Sequence, residues 1–157
     1  LSALAMALAG ERDRRGANRD CRLRVNLRGT ERPVVTGDPA RLERVLHNLL
    51  DNAVSFSPPG GLVEVDIGVE HGTVVAQVQD QGPGIAPAAR ERVFERFHSQ
   101  RPSGEDFGAH SGLGLAIART IIEAHDGTLT AREPEAGRGG ARLVIELPAQ
   151  LPGPEAQ

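Results

Sequence analysis

Two asparagines stand four residues apart in the stretch 41–57, RLERVLHNLLDNAVSFS. Apolar residues recur in this stretch at helical spacing, which predicts a core helix with one apolar face. Asp38 and Pro39 suit the N-cap and the first helical position. At about 100° per residue, Asn48 and Asn52 fall on one edge of the apolar face, with Asn52 nearest its centre. Both amides are therefore expected to look inward.

Two explanations fit inward-facing asparagines. They could satisfy each other or a nearby backbone carbonyl, because a buried polar group must find partners. They could also supply oxygen ligands to a hard cation such as Mg²⁺, which accepts carboxamide, water and phosphate oxygens. The helix alone leaves both explanations open.

A carboxylate, Asp80, follows a predicted buried strand and precedes Gly82 and Gly84. Glycines let the backbone approach a flat ligand closely. An aspartate at such a turn could accept a hydrogen bond from an exocyclic amine, of the kind that adenine presents. An ordinary Asx turn has the same residue types, so spacing alone does not decide between them.

A second pair of glycines, Gly112 and Gly114, opens a predicted helix. Free amides and the helix dipole at a helix start favour anions such as phosphate. Loop flexibility would also explain these glycines. The aperiodic loop 98–111 (HSQRPSGEDFGAHS) comes directly before them, and a loop of this length in a compact domain is usually functional. It has the composition of a glycine-hinged lid over a phosphate.

The remaining elements must position these groups. Alternating apolar residues predict strands at 22–28, 62–69, 73–78, 128–132 and 141–147, with a further candidate at 33–36. Residues 87–97 (PAARERVFERF) predict a short helix whose apolar side is Val93, Phe94 and Phe97. This order predicts a two-layer α/β (α+β) sandwich, a mixed and mostly antiparallel sheet with about three helices on one face.

Composition excludes several function classes. The 157 residues include 39% hydrophobic and 25% charged residues, as in an ordinary soluble globular domain. A net charge of −3, without a basic stripe interleaved with aromatics, argues against nucleic-acid binding. The sequence has no lysine, all 18 basic residues being arginine, so neither a Walker A loop nor a eukaryotic-type protein kinase can be built from it.

Four motifs now stand in order: the asparagine helix, the D-x-G-x-G turn, the F-E-R-F segment and the G-L-G-L helix start. Together they closely resemble the catalytic and ATP-binding domain (HATPase_c, with the Bergerat fold) of sensor histidine kinases, relatives of Hsp90, DNA gyrase and MutL. The resemblance spans about 22–148. Four motifs in register are far more specific than any one of them.

The resemblance implies ATP and Mg²⁺ as cofactors. Asn52 would bind Mg²⁺, with Asn48 beside the metal and the phosphates, and Asp80 would accept the adenine amine. Phe94 and Phe97 match the family's F box, and residues 98–111 match its lid over ATP. The other implied nucleotide-binding residues are Phe56, which would cover the base, and Gly82, Gly84, Ile85, Ser111, Gly112, Leu113, Gly114 and Leu115.

Some positions depart from the family pattern. Family members often carry a basic residue at the position of Ser55, and an aromatic residue followed by arginine where this chain has His98 and Ser99, so both usual phosphate cations are missing. Arg101 or Arg96 could replace them, because a guanidinium grips phosphate in a fork, although either could equally be a solvated surface arginine. At Asn48 the ATPase relatives usually carry a glutamate, and a neutral amide is a poor base, so slow hydrolysis is expected.

The resemblance also implies partners. The γ-phosphoryl group would pass to a histidine on a separate helical dimerisation and phosphoacceptor domain. In that domain an acidic residue follows the acceptor histidine. A response regulator would be served indirectly.

We expect residues 1–20 to be a linker or the end of that helical domain, 21–148 the catalytic domain and 149–157 a disordered tail. The isolated domain is expected to be a monomer and a cytoplasmic part of a membrane-anchored sensor. Rival interpretations are a same-fold ATPase or serine kinase, or a degenerate nucleotide-binding or docking module without catalysis.

Overall fold

The computed structural model describes residues 21–96, 113–135 and 137–150. Its strands are β1 (Arg22–Arg28), β2 (Leu62–Glu70), β3 (Thr73–Gln79), β4 (Thr128–Arg132) and β5 (Arg142–Pro148). Its helices are α1 (Pro39–Phe56) and α2 (Gly114–Ala124), with two short 3-10 turns, Pro87–Ala89 and Arg92–Phe94, between β3 and α2.

The five strands form one sheet in the order β1-β2-β3-β5-β4. The β1–β2 pair is parallel and the other three pairs are antiparallel. The mixed, mostly antiparallel sheet is therefore confirmed. His71 and Gly72 both have positive φ (49° and 77°) and form the tight turn between β2 and β3 that the sequence predicts.

The hydrophobic core lies between one sheet face and the two helices. Alternate strand residues such as Val65, Ile67 and Ile145 are buried against Leu49 of α1 and Ile122 of α2. Burying each such side chain contributes roughly 1.5–3 kcal/mol. The opposite sheet face carries charged and amide side chains, so the helices occupy a single layer.

Local signals fix the ends of α1. The Asp38 carboxylate accepts hydrogen bonds from the amides of Ala40 (3.0 Å) and Arg41 (3.4 Å), and Pro39 is the first helical residue. The helix ends at Phe56, ahead of Pro58 and Pro59, which cannot continue it. These boundaries determine which way Asn48 and Asn52 face.

Two predicted elements differ from the structure. The helix over 87–97 is wrong, because 87–94 forms two single 3-10 turns. Val93 and Phe94 are adjacent, so one turn buries both without a helical stripe, while Phe97 lies outside the described residues. Residues 33–36 form no strand, since proline has no amide to donate.

The two described residues after β5 remain in contact with the domain. The Ala149 amide donates to Gly72 and the Gln150 amide donates to the Val34 carbonyl, at 3.0 and 2.7 Å. In the parts of the chain that the structure describes, no helix is long and apolar enough to cross a bilayer.

Candidate nucleotide-binding site

Asp80 lies directly after β3 and is only 3% exposed. Its Oδ1 accepts hydrogen bonds from the amides of Gly82 (2.8 Å) and Ala141 (3.0 Å). The Asp80 amide in turn donates to the Ala141 carbonyl at 3.0 Å. Within the described ranges no hydrogen bond to Oδ2 is found, so one carboxylate oxygen is fixed by backbone and the other is left to accept from a ligand.

The Asp80 carboxyl has a perturbed pKa. Burial raises its pKa above the ordinary value for aspartate, and the hydrogen bonds from Ala141 and Gly82 oppose that rise in part. No cation contributes to this balance. A buried carboxylate without a counterion is costly to keep ionised, and such groups concentrate at functional sites.

The turn after Asp80 has room only for glycine. A Cβ on Gly82 would lie 2.6 Å from the Phe56 carbonyl oxygen and 3.1 Å from Asp80 Oδ1. Gly84 has φ +82°, and a Cβ there would lie 3.1 Å from the Gly140 carbonyl oxygen. The turn is therefore wedged between the end of α1 and the start of β5.

Asn48 connects α1 to the start of α2. Its Nδ2 donates to the Gly114 carbonyl at 3.0 Å, and the residue is half-buried. This is the backbone partner that the sequence left open as one explanation, and mutual pairing with Asn52 is not found in this part of the chain.

Asn52 is the better candidate for a metal ligand. It is half-buried, and the described ranges contain no hydrogen bond to its side chain. These ranges also hold no cluster of three or more histidine, cysteine or acidic side chains that would suit a metal. Mg²⁺ typically takes only one or two protein oxygens and completes its shell with phosphates and water, so a lone carboxamide fits that ion.

The other predicted residues are distributed around this site. Phe56 is half-buried at the end of α1, and Leu113 is half-buried immediately before α2. Ile85 and Leu115 pack against the hydrophobic core, and Arg96 is exposed. Arg101, Ser111 and Gly112 lie outside the described residues, so their predicted roles are untested.

Sequence reasoning missed two groups of residues. Gly140 and Ala141 touch Asp80 from the start of β5, and the glycine-rich run 137–140 was the only signal that could have pointed to them. Arg119 of α2 makes a bidentate ion pair with Glu91 at 2.9 and 3.2 Å and stacks 4.6 Å from the Phe94 ring centroid. It fixes the second 3-10 turn against α2.

A groove of about 620 Å³ runs between α1 and α2. Three arginines, Arg41, Arg44 and Arg96, line it together with apolar residues that include Ala116 and Ile117. We call it the arginine groove. Leu113 also lines it, so the groove adjoins the start of α2, whereas Asp80 does not belong to it.

Fold and geometry together define a class: a two-layer α/β domain whose first helix and glycine turns surround a site suited to a nucleotide. Residues 37–151 match the family described as histidine kinase-, DNA gyrase B- and HSP90-like ATPase. The chain belongs to this family.

Its relatives include bacterial sensor kinases. The sensor protein ChvG of Rhizobium meliloti (strain 1021) is 46% identical over 121 residues, which is 74% of this chain and 21% of ChvG. A solved mycobacterial sensor histidine kinase, MprB, is 36% identical with a TM-score of 0.73, covering 94% of this chain and 92% of that one. Full-length ShkA, solved in complex with AMPPNP, is 30% identical with a TM-score of 0.77, covering 94% of this chain and 30% of ShkA. The chain thus spans about a fifth of the length of ChvG.

Proposed function

We propose that this domain binds Mg²⁺-ATP and presents the γ-phosphoryl group for transfer to a histidine on a helical dimerisation and phosphoacceptor domain of the same protein, as part of a two-component sensor kinase. The observation that carries the proposal is the Asp80 carboxylate, which is buried without a counterion and has one oxygen fixed by two amides. A ligand that donates a hydrogen bond to the second oxygen would compensate for this arrangement. The exocyclic amine of adenine is such a donor, and the solved relative ShkA binds an ATP analogue.

The phosphates would lie between α1 and the start of α2. Asn52 would hold Mg²⁺, and Asn48 is kept nearby by its bond to the Gly114 carbonyl. The first amides of α2 and its dipole favour the negative charge of the phosphates. When bound, Mg²⁺ supplies charge neutralisation to the transferring group. Phosphoryl transfer depends mainly on positioning and charge stabilisation, and no strong base is required of Asn48.

The arginine groove suits the acceptor helix. An amphipathic helix lays its apolar side into such a groove, and Ala116 and Ile117 would receive it. The acidic residue expected next to the acceptor histidine would meet Arg41, Arg44 or Arg96. The groove adjoins Leu113 at the start of α2, so an acceptor docked there would lie near the phosphates.

His125 is not suited to be the acceptor, although Asp126 follows it. Its Nδ1 is 2.7 Å from the Ile121 carbonyl, and its Nε2 accepts a hydrogen bond from the Asp38 amide at 3.1 Å. Both ring nitrogens are therefore engaged: Nδ1 contacts α2 itself, and Nε2 joins the end of α2 to the start of α1. The acceptor comes from another domain, and the phosphorylated acceptor would then serve a response regulator.

We further propose that this chain is the cytoplasmic part of a membrane-anchored sensor and that the isolated domain is a monomer.

Titration with AMPPNP in the presence and absence of Mg²⁺ tests binding, and incubation with labelled ATP and a purified acceptor domain tests transfer. We expect Mg²⁺-dependent binding and label on the acceptor. The absence of binding at millimolar nucleotide would overturn the proposal. Binding without transfer to the acceptor would instead favour a docking module, the alternative left open because Ser55 stands where family members often carry a basic residue.

A further inference from the structure

We propose that the charged side chains of the β4–β5 connection, residues 133–135 and 137–141, hold Asp80 in the orientation that base recognition needs, with Arg138 and Gly140 as positioning residues. The inference rests on the proposed function, because it concerns the carboxylate that would recognise adenine. The residues concerned lie on the outer sheet face, remote from the phosphates. They would nevertheless help to determine which base the site selects.

Gly140 lies against Asp80 without space for a side chain. Its φ is +92°, and a Cβ there would collide with the Asp80 carbonyl oxygen and lie 2.9 Å from Oδ1. The next residue, Ala141, donates its amide to the same Oδ1 at 3.0 Å. The connection thus sets both the main chain and the carboxylate orientation of Asp80.

Charged side chains fasten this connection to the outer sheet face. Arg138 Nη1 lies 3.2 Å from Glu64 Oε1 and 3.9 Å from Glu135 Oε2. Glu135 in turn contacts Arg28 at 3.5 Å and Gln77 at 3.4 Å. The Glu64 side chain is only 13% exposed, so these contacts are screened less than ordinary surface pairs.

A second attachment begins from β5. Arg142 donates to Gln77 Oε1 at 2.7 Å and to the Glu133 carbonyl at 3.2 Å. The residue before Asp80, Gln79, pairs with Glu64 on one side and with Arg142 on the other. The network therefore lies directly behind the strand end that carries Asp80, and it ties both ends of the connection to that strand.

If the β4–β5 connection were loosened, the Ala141 amide would no longer donate to Oδ1 of Asp80. The Asp80 carboxylate could then rotate. The second oxygen would then no longer be held toward the amine. The effect should be specific to the base: an adenine nucleotide should lose affinity, while inosine triphosphate, which presents a carbonyl in place of the amine, should not. A general loss of folding would lower both affinities equally.

Arg138→Ala is the principal variant, tested by titration with AMPPNP and with inosine triphosphate. We expect AMPPNP to bind about three- to tenfold more weakly, a change of about half to one decade in Kd, with binding of inosine triphosphate unchanged. Arg138→Lys should restore part of the difference. Gly140→Ala should reduce the preference for adenine more strongly, and its thermal transition shows whether it is folded.

Arg132→Ala is a matched control. Arg132 is 41% exposed and pairs with Glu146 at 2.9 Å on the same sheet face, against 42% exposure for Arg138. Its side-chain bonds go to Thr130 and Glu146, away from the connection. We expect the adenine preference of this variant to equal that of the wild type.

Two failures are distinguishable. If the wild-type domain shows no adenine preference, or if Asp80→Asn leaves that preference intact, the proposed function fails. If Asp80→Asn abolishes the preference while Arg138→Ala and every folded Gly140 variant keep it, only the present inference is overturned. If Gly140→Ala does not fold, Arg138→Ala alone decides.

Discussion

The two oxygens of Asp80 have different tasks, and replacement by asparagine should separate them. The asparagine carbonyl can still accept from the amides of Gly82 and Ala141, so its NH₂ group would occupy the position of the second oxygen. A donor would then face the adenine amine, and we expect nucleotide affinity to fall by about 1.5–3 kcal/mol. Stability should not fall, because the substitution removes a buried charge.

Calorimetric titration and thermal unfolding of the Asp80→Asn variant measure these two effects. A parallel loss of affinity and melting temperature would show that Asp80 is a structural residue only. Unchanged affinity would remove Asp80 from the adenine site.

The raised pKa of Asp80 gives two pH dependences of opposite sign. Between the unfolded and folded pKa values the native state binds more protons than the unfolded chain. The contribution of Asp80 to the free energy of unfolding therefore falls as pH rises through this acidic window and is lowest above the folded pKa. Adenine recognition needs the ionised form, so affinity should fall as pH decreases through the same raised pKa. Denaturant unfolding and nucleotide titration of wild type and Asp80→Asn across acidic pH test both, since the variant cannot titrate there.

Asn52→Ala tests the proposed metal ligand. We expect the variant to lose the Mg²⁺-dependent part of its nucleotide affinity and to keep its Mg²⁺-free affinity. Its melting temperature should change little, because no hydrogen bond to Asn52 is found in the described ranges. Asn48→Ala provides the contrast: it removes the bond to the Gly114 carbonyl, which should cost about 0.5–1.5 kcal/mol of stability. An Asn52→Ala variant with an unchanged Mg²⁺ response would place the metal elsewhere.

At the scale of elements, predictability follows from how local the signals are. Helix α1 has a cap, an apolar stripe and terminating prolines within its own sequence, and all three are confirmed. Asp80 and its glycines were likewise visible because a strand and a turn adjoin them. The contact of Asp80 with Ala141, 61 residues away, depends on β5 pairing with β3, and no local pattern specifies which strands are neighbours.

The cap of α1 should contribute measurable stability. Asp38→Ala removes the acceptor for the amides of Ala40 and Arg41, and we expect a loss of about 1 kcal/mol, or roughly 2–4 °C in melting temperature. Asp38→Asn keeps an acceptor for these amides, so its loss of stability should be only a few tenths of the loss in Asp38→Ala. Equal losses in the two variants would mean that charge, rather than the cap, is responsible.

In the whole molecule, the proposed roles divide between the two layers. The helix layer carries Asn48, Asn52 and the arginine groove, while the outer sheet face carries the network behind Asp80. A charge change on the groove should therefore leave base recognition by Asp80 intact. We expect acceptor docking and base recognition to be perturbed independently.

Arg44→Glu tests this separation. Arg44 is exposed on α1 and lines the arginine groove, and reversing its charge should repel the acidic residue of an acceptor helix. We expect transfer from labelled ATP to the acceptor domain to slow by about tenfold at low salt and by less at high salt, because screening weakens such contacts. The affinity for AMPPNP should fall far less than the rate of transfer. Arg22→Glu makes the same charge change on β1 of the sheet and should transfer at the wild-type rate. If both variants slow transfer equally, net charge rather than the groove governs docking, and if neither does, the acceptor binds elsewhere.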